Sequence, residues 1–439
     1  MTSKRLLAKS TDNPGIQSPE ENVTIARINQ ASILVDVDFY DDTEKKRLLG
    51  AGYPAKARSA LEALAAKPLA IPTSEFLSYF LFHRKGFEGY GSYEEIQRRT
   101  VIAENYIDTC LRFDGTSVGL STSGLSRKDI TEHVGESISL SVISRLFGLN
   151  EADWAPLPSL GGKGALPSFD FSIASDGKTI VQVESKGSAV RNNARKELSV
   201  PNQKKSIHDK KVDLSKPGVQ DPYPASVRYG AIIALDARPK SRAKCWLVDP
   251  DPESGPYEPN TLKLLKRMAF LQSWIGLLSP RSQLSASLAT RLSDLMTLRD
   301  PFELDGLPLL RGNGEPIKYA SLSPNSPHST FLAGKSRVVD RPAGGIVVPV
   351  RSDLLAFLAV REDLVVIAAE QSFASILGFD YTASTRLTTV ECVLPKSRAI
   401  DINVPSDAVT SGDHVHFDLE GEVHCSPSGL VFGYLPIPG

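Results

Sequence analysis

The sequence predicts a mixed α/β protein in three parts: a mostly helical N-terminal region, a central α/β unit on a mixed sheet, and a β-rich C-terminal region. Three observations predict it. Apolar residues recur at helical spacing between residues 23 and 125; a helix, hairpin, helix, strand, strand order begins at 126; and short apolar strands dominate from Gly344 onward. The chain has 439 residues, enough for about three domains at roughly 150 residues each. A hydrophobic content of 41% supports real cores and argues against wholesale disorder. The formal charge of −1, from 50 basic and 51 acidic residues, excludes a chain that is basic throughout but allows a local basic surface. Cys110, Cys245, Cys392 and Cys425 are widely spaced with no CxxC pair. That pattern speaks against a zinc ribbon or disulfide framework and fits a reducing compartment. The start, Met1 to Arg5, is basic with no apolar stretch behind it, so no signal peptide is expected. No apolar run approaches the ~18 residues of a membrane span. The expectation is a cytoplasmic protein without a membrane partner.

Residues 1–22 are polar and rich in Ser, Pro and Asn, and read as a flexible tail. In 23–125, Ala55 to Ala66 is rich in Ala and Leu, Glu75 to His83 is apolar and aromatic, and Tyr93 to Phe113 carries apolar positions at helical spacing. Gly115 to Gly124 reads as a linker. The central unit, 126–280, opens with a helix over Ser126 to Phe147. Ile130, Val134, Ile138, Val142 and Leu146 recur every four residues, and Gly148 ends it. Strands follow at Ser168 to Ala174 and Thr179 to Ser185, turned by Ser175-Asp176-Gly177-Lys178. A basic helical stretch, Arg191 to Val212, precedes strands at Val227 to Asp236 and Ala243 to Val248. Tyr257 to Leu278 and Ser282 to Arg299 read as helices, and 281–340 as a helical and loop-rich connector. The C-terminal region, 341–439, is expected to hold strands at Ile346 to Val350, Leu364 to Ala368, Leu387 to Leu394, Val415 to Leu419 and Leu430 to Leu435, with one helix at Ser352 to Ala359.

The chemistry concentrates between Pro167 and Gly187. Asp170 lies on the first strand of the expected hairpin, with Glu184 and Lys186 at the end of the second. Strand side chains alternate, so Glu184 and Lys186 share a face, and Asp170 falls roughly opposite Glu184. Two carboxylates that meet suit Mg²⁺ (or Mn²⁺), a hard cation that takes oxygen ligands and keeps waters. Such an ion activates water and offsets charge on a transferring phosphoryl group. Lys186 would orient the attacking water or stabilise developing charge, and the backbone carbonyl of Ser185 is a third candidate ligand.

Asp170 followed fourteen residues later by Glu184-Ser185-Lys186 resembles the PD-(D/E)XK motif of restriction-endonuclease-like nucleases. The element order over about 126–250 resembles that family's core as well. The resemblance implies a restriction-endonuclease-like mixed sheet and a metal-dependent endonuclease, a phosphodiester hydrolase acting on nucleic acid, DNA first, in the manner of a bacterial defence or restriction effector. It implies that Asp170 and Glu184 bind metal, that Lys186 assists the water, and that Glu136 on the preceding helix completes the metal shell, with Glu132 as a substitute. The sequence departs from the pattern at two points. Pro167 stands three residues before Asp170 rather than beside it, and Ile207 stands four residues after Gln203, where some members carry Tyr. The resemblance also implies a homodimer, since many nucleases of this kind need two sites for a double-strand break.

From Lys186 to Lys216 there are nine Lys/Arg against three Asp/Glu. Arg191, Arg195, Gln203, Lys204, Lys205 and Lys210 are the candidate nucleic-acid contacts in this stretch, where cations would follow a phosphate backbone. His208 reads as a surface histidine. Other signals are weaker. Asp249, Asp251 and Glu253 alternate like calcium ligands, but the interleaved prolines read as a turn. Gly161-Gly162-Lys163-Gly164 lacks the Ser/Thr of a phosphate-binding loop. His414, His416, His424 and Cys425 lie on one expected hairpin and raise a transition-metal hydrolase as a distant rival. The closer rival is a non-catalytic nucleic-acid-binding or adaptor protein that retains the nuclease fold. The last stretch, 401–439, carries six acidic residues and no Lys or Arg.

Overall fold

The computed structural model describes residues 31–83, 93–156, 172–214, 216, 224–248, 258–317, 336–339 and 343–438. The expected tail 1–22, Asp170, Pro167, the 161–164 glycine run and the 249–253 acidic turn lie outside them.

The first elements are β1 (Ser32–Phe39), α1 (Asp42–Leu48), α2 (Ala55–Ala66), β2 (Leu69–Pro72), α3 (Thr73–Phe82) and α4 (Tyr93–Cys110). Gly115 to Gly124 is not a linker. It holds the turn and second strand of a hairpin, β3 (Leu111–Asp114) and β4 (Ser117–Leu120). Gly115 supplies the left-handed turn residue at φ 62°, and β4 is buried throughout. The Gly/Ser/Thr content that reads as loose chain is a buried strand of small residues.

The central unit continues through α5 (Lys128–Phe147), β5 (Ala155–Pro156), β6 (Ser172–Ser175), β7 (Ile180–Ala189), α6 (Ser199–Leu214), β8 (Val227–Leu235) and β9 (Ala243–Val248). Gly148 ends α5 in the left-handed conformation, as its position predicts. The basic stretch is helical only from Ser199; residues 191–198 form a loop. One seven-stranded sheet runs β2-β1-β9-β8-β7-β6-β5. Strands β5, β6 and β7 form an antiparallel meander, β8 lies parallel to β7, and β9 is antiparallel to β8. The N-terminal strand β1 extends this sheet, parallel to β9, with β2 at its outer edge. One face of the sheet packs on α5, through Val181, Val183, Tyr229 and Ile233. The other packs on α6, through Val200, Ile207, Ile232, Ala234, Trp246 and Val248.

After α7 (Pro259–Leu278) and α8 (Gln283–Thr297), the chain builds a closed barrel. Its strands are β10 (Ser336–Val338), β11 (Ala343–Arg351), β12 (Leu354–Arg361), β13 (Ser384–Pro395), β15 (His414–Cys425) and β16 (Leu430–Pro436), closed by the pairing of β13 with β15. Helices α9 (Glu362–Glu370), α10 (Phe373–Gly378) and α11 (Lys396–Ala399) and the short strand β14 (Val409–Ser411) decorate it.

Two elements reverse the sequence reading. Residues 352–359, expected as helix, hold strand β12, and 364–368, expected as strand, lie in helix α9. The reason is burial on both sides of β12. Leu355, Phe357 and Ala359 fill the barrel, while Leu354, Ala356, Leu358 and Val360 pack outward on the main core. A strand covered on both faces loses its alternation and reads as an apolar run of either type. Phe82 of α3 joins the two halves, edge-on to Trp274 of α7 at 5.0 Å and to Phe432 of β16 at 5.1 Å.

Candidate active site

The site is built on β7. Gln182, Glu184 and Lys186 share the face toward α6, while Val181 and Val183 face α5. On the α5 side the backbones touch. A Cβ on Gly187 would fall 1.8 Å from the Thr131 carbonyl oxygen, and one on Gly135 would fall 2.8 Å from Gly187 Cα. Both positions therefore require glycine. This contact sets Glu136, half-buried on α5, one residue from the point where the helix meets β7 at Lys186 and Gly187.

On the α6 side, Gly230 of β8 lies in register with Glu184. A side chain there would meet Val248 at 2.4 Å and Ile207 at 3.0 Å. The bare backbone lets Ile207 seat on the sheet, and Lys210, one helical turn further, then reaches Glu184.

Glu184 is fully enclosed, and its Oε1 accepts from Lys186 Nζ at 2.9 Å and from Lys210 Nζ at 3.0 Å. The lysine side chains keep 17% and 18% of their surface exposed, so the cluster opens outward on the lysine side. Glu184 Oε2 is buried without a hydrogen-bond partner. Burial pushes the Glu184 carboxyl up, and the ammoniums of Lys186 and Lys210 pull it back. Beside it, the buried Arg228 donates through Nε to Gln182 Oε1 at 3.1 Å.

The structure thus brings Glu184, Lys186 and Lys210 together. Ser185 lies between the first two, half-buried and in register with Ala231. Asp170 lies outside the described residues, and among those residues no three His, Cys, Asp or Glu converge as a metal cluster. The chemistry of Glu184 nevertheless suits a hard cation, because Oε2 is a buried carboxylate oxygen without a hydrogen bond.

The basic stretch divides. Arg191 and Arg195 are exposed in the loop before α6, where the Glu197 carboxylate accepts from the backbone N–H groups of Arg191 and Asn192. Gln203 is half-buried, and the exposed Lys205 pairs with Asp209 at 2.5 Å. Lys204 is a strut. Its ammonium pairs with Asp41 and Glu44, each at 2.9 Å, and lies 4.3 Å from the Tyr40 ring centroid. Lys210, expected on nucleic acid, sits on Glu184.

The pattern of β7 points to Gln182, two residues before Glu184 and therefore on its face. Nothing local in the sequence points to Arg228 or to the seat of Lys210, which depends on how α6 packs. The late histidines do not assemble. His414 and His416 share the half-buried face of β15, whereas His424 is buried, its Nδ1 2.8 Å from Thr385 Oγ1, and burial pushes it down to about 4.

Comparison with known protein families, characterised proteins and solved structures returns no match to this chain. No helix among the described residues is long and apolar enough to cross a membrane.

Proposed function

We propose that the chain is a metal-dependent nuclease that hydrolyses phosphodiester bonds, with DNA as the first substrate to test and a restriction-endonuclease-like core. The observation that carries the reading is the enclosed Glu184 with Lys186 two residues along the same strand face. The order α5, three-stranded meander, α6, then β8 parallel to β7 supports it. Glu184 Oε2, together with the carboxylate of Asp170, would hold Mg²⁺ or Mn²⁺. Glu136 lies on α5, which packs on the opposite face of the sheet from the one that carries Glu184. The ion would supply Lewis-acid stabilisation of a phosphoryl oxygen. Lys186, partly exposed, orients the attacking water and offsets negative charge as the leaving oxygen departs. The exposed Arg191, Arg195 and Lys205 offer cations to the backbone of the substrate. Two copies cutting opposite strands, and a role in defence against foreign nucleic acid in the cytoplasm, extend the same reading.

The test is cleavage of plasmid and single-stranded DNA and of RNA with Mg²⁺ or Mn²⁺. Glu184→Ala, Lys186→Ala and Asp170→Ala are expected to reduce cutting by about 10²–10⁴-fold, with melting curves showing the fold intact. Activity that survives all three changes sinks the proposal. Nucleic-acid binding with no metal-dependent turnover in the wild type favours the adaptor reading instead.

A further inference from the structure

Glu184 is held at one oxygen only. Lys186 and Lys210 both bring an ammonium to Oε1, at 2.9 and 3.0 Å, and Oε2 has no hydrogen bond. The first lysine comes from the strand itself, two residues away. The second comes from α6, 26 residues along the chain, and arrives only because Gly230 admits Ile207 beneath the helix.

A divalent ion bound by Glu184 would stand about 2.1 Å from the carboxylate oxygen, within a few ångströms of both ammoniums. Like charges at that range in a water-poor site repel strongly. Lys186 is rooted in the middle of β7 beside the Gly135–Gly187 contact, where the backbone has no room to shift. Lys210 has the same four-carbon stem and nearly the same exposure, 18% against 17%, but it is carried by α6, which rests on the sheet through side chains rather than touching backbones, so its ammonium has the freer route outward.

Resting on the nuclease reading, we infer that Lys210 is a cation latch on Glu184. It holds the carboxylate in the metal-free chain, opposes loading of a divalent ion, and passes its ammonium to a phosphodiester oxygen when nucleic acid arrives. Metal and nucleic acid then bind with positive coupling. The phosphodiester brings the negative charge that the released ammonium needs, and by linkage each ligand tightens the other by the same factor. The latch keeps the hydrolytic centre unloaded until a substrate is present.

Mn²⁺ binding to the full chain, read by the electron-spin-resonance signal of free Mn²⁺, tests this without turnover. Without nucleic acid, Lys210→Gln is expected to bind Mn²⁺ about tenfold tighter than the wild type, because one repelling charge is gone. A short phosphorothioate duplex is expected to tighten Mn²⁺ binding to the wild type by about fivefold or more, and to leave the variant nearly unchanged. Lys210→Arg, which keeps the charge, should retain the coupling. Melting curves in metal-free buffer check folding, and Lys210→Met replaces the glutamine variant if that one does not fold. Equal Mn²⁺ affinity in wild type and neutral variant, or an equal effect of the duplex on both, overturns the latch. Plasmid cleavage by the wild type is scored in parallel. Cleavage with no Lys210 effect sinks the latch alone, whereas a wild type that neither binds Mn²⁺ nor cuts sinks both the latch and the nuclease reading.

Discussion

Glu151 is a carboxylic acid in a place that disfavours its charge. It is buried in the turn after α5; its Oε2 accepts from the Ser428 backbone N–H at 3.0 Å, and its Oε1 has no hydrogen bond. Burial and the nearby Glu75 carboxylate push it from 4.5 up to about 8. The folded state therefore keeps a proton that the unfolded state releases above about pH 4.5. Stability from this group is full below pH 4.5, falls as pH rises toward 8, and is level beyond. Glu151→Gln keeps an acceptor for Ser428 and removes the titration. It should match the wild type at pH 4 and exceed it by about 1–3 kcal/mol at pH 8, read as the melting-temperature difference between the two buffers. A wild type whose stability rises from pH 5 to 8 and a variant that follows it would contradict the assignment.

The pair α5 and β7 shows how closely two elements are fitted. Gly187→Ala places a methyl group inside the Thr131 carbonyl, so the helix must lift from the strand. A loss of at least about 2 kcal/mol is expected in urea unfolding. Gly230→Ala acts on the opposite face: its methyl meets Val248 and Ile207, α6 rises, and Lys210 draws back from Glu184. That variant should lose about 1–3 kcal/mol and also change metal binding, an effect Gly187→Ala does not share through α6. Features set by local spacing were legible in the sequence. The four-residue spacing of α5, the Gly177 turn at φ 93° and the two-residue step from Glu184 to Lys186 are local patterns. β12 was not legible, because the barrel interior takes one set of its side chains and the main core the other. Lys210 was legible as a basic residue, but its contact depends on a glycine 20 positions further on, in β8. Lys204 reads as a free cation for the same reason, since its partners Asp41 and Glu44 are far away in sequence.

The barrel and the sheet behave as one body because they share a core. Ile346, Val348, Leu358, Phe432 and Tyr434 from the barrel lie in the same apolar cluster as Phe76 and Val142. Buried ionic contacts reinforce it. Arg267 of α7 grips Asp153 through Nε and Nη2 at 2.6 and 3.0 Å and donates through Nη1 to the Phe379 and Ile376 carbonyls at 2.8 and 3.1 Å. Calorimetry should give a single unfolding transition, and two resolved transitions would show the halves to be independent. Arg267→Ala should cost about 3–5 kcal/mol, because it strands the Asp153 charge in the interior. The same variant should leave cleavage unchanged at low temperature.

The pairing of β1 with β9 ties the order of folding to the order of synthesis. β1 completes its hydrogen bonding against Ala243 to Leu247, about 200 residues further along the chain. At roughly 5–20 residues per second, the apolar stripe Ile33, Val35 and Val37 waits some 10–40 s on the ribosome before its partner strand emerges. During that interval β1 is an unpaired edge beside β2, open to other chains. Slower elongation should therefore lengthen the exposure of this strand and raise the demand for chaperones that bind extended apolar segments. The pairing that builds the sheet outward from the proposed site thereby leaves nascent β1 without its partner until β9 is made.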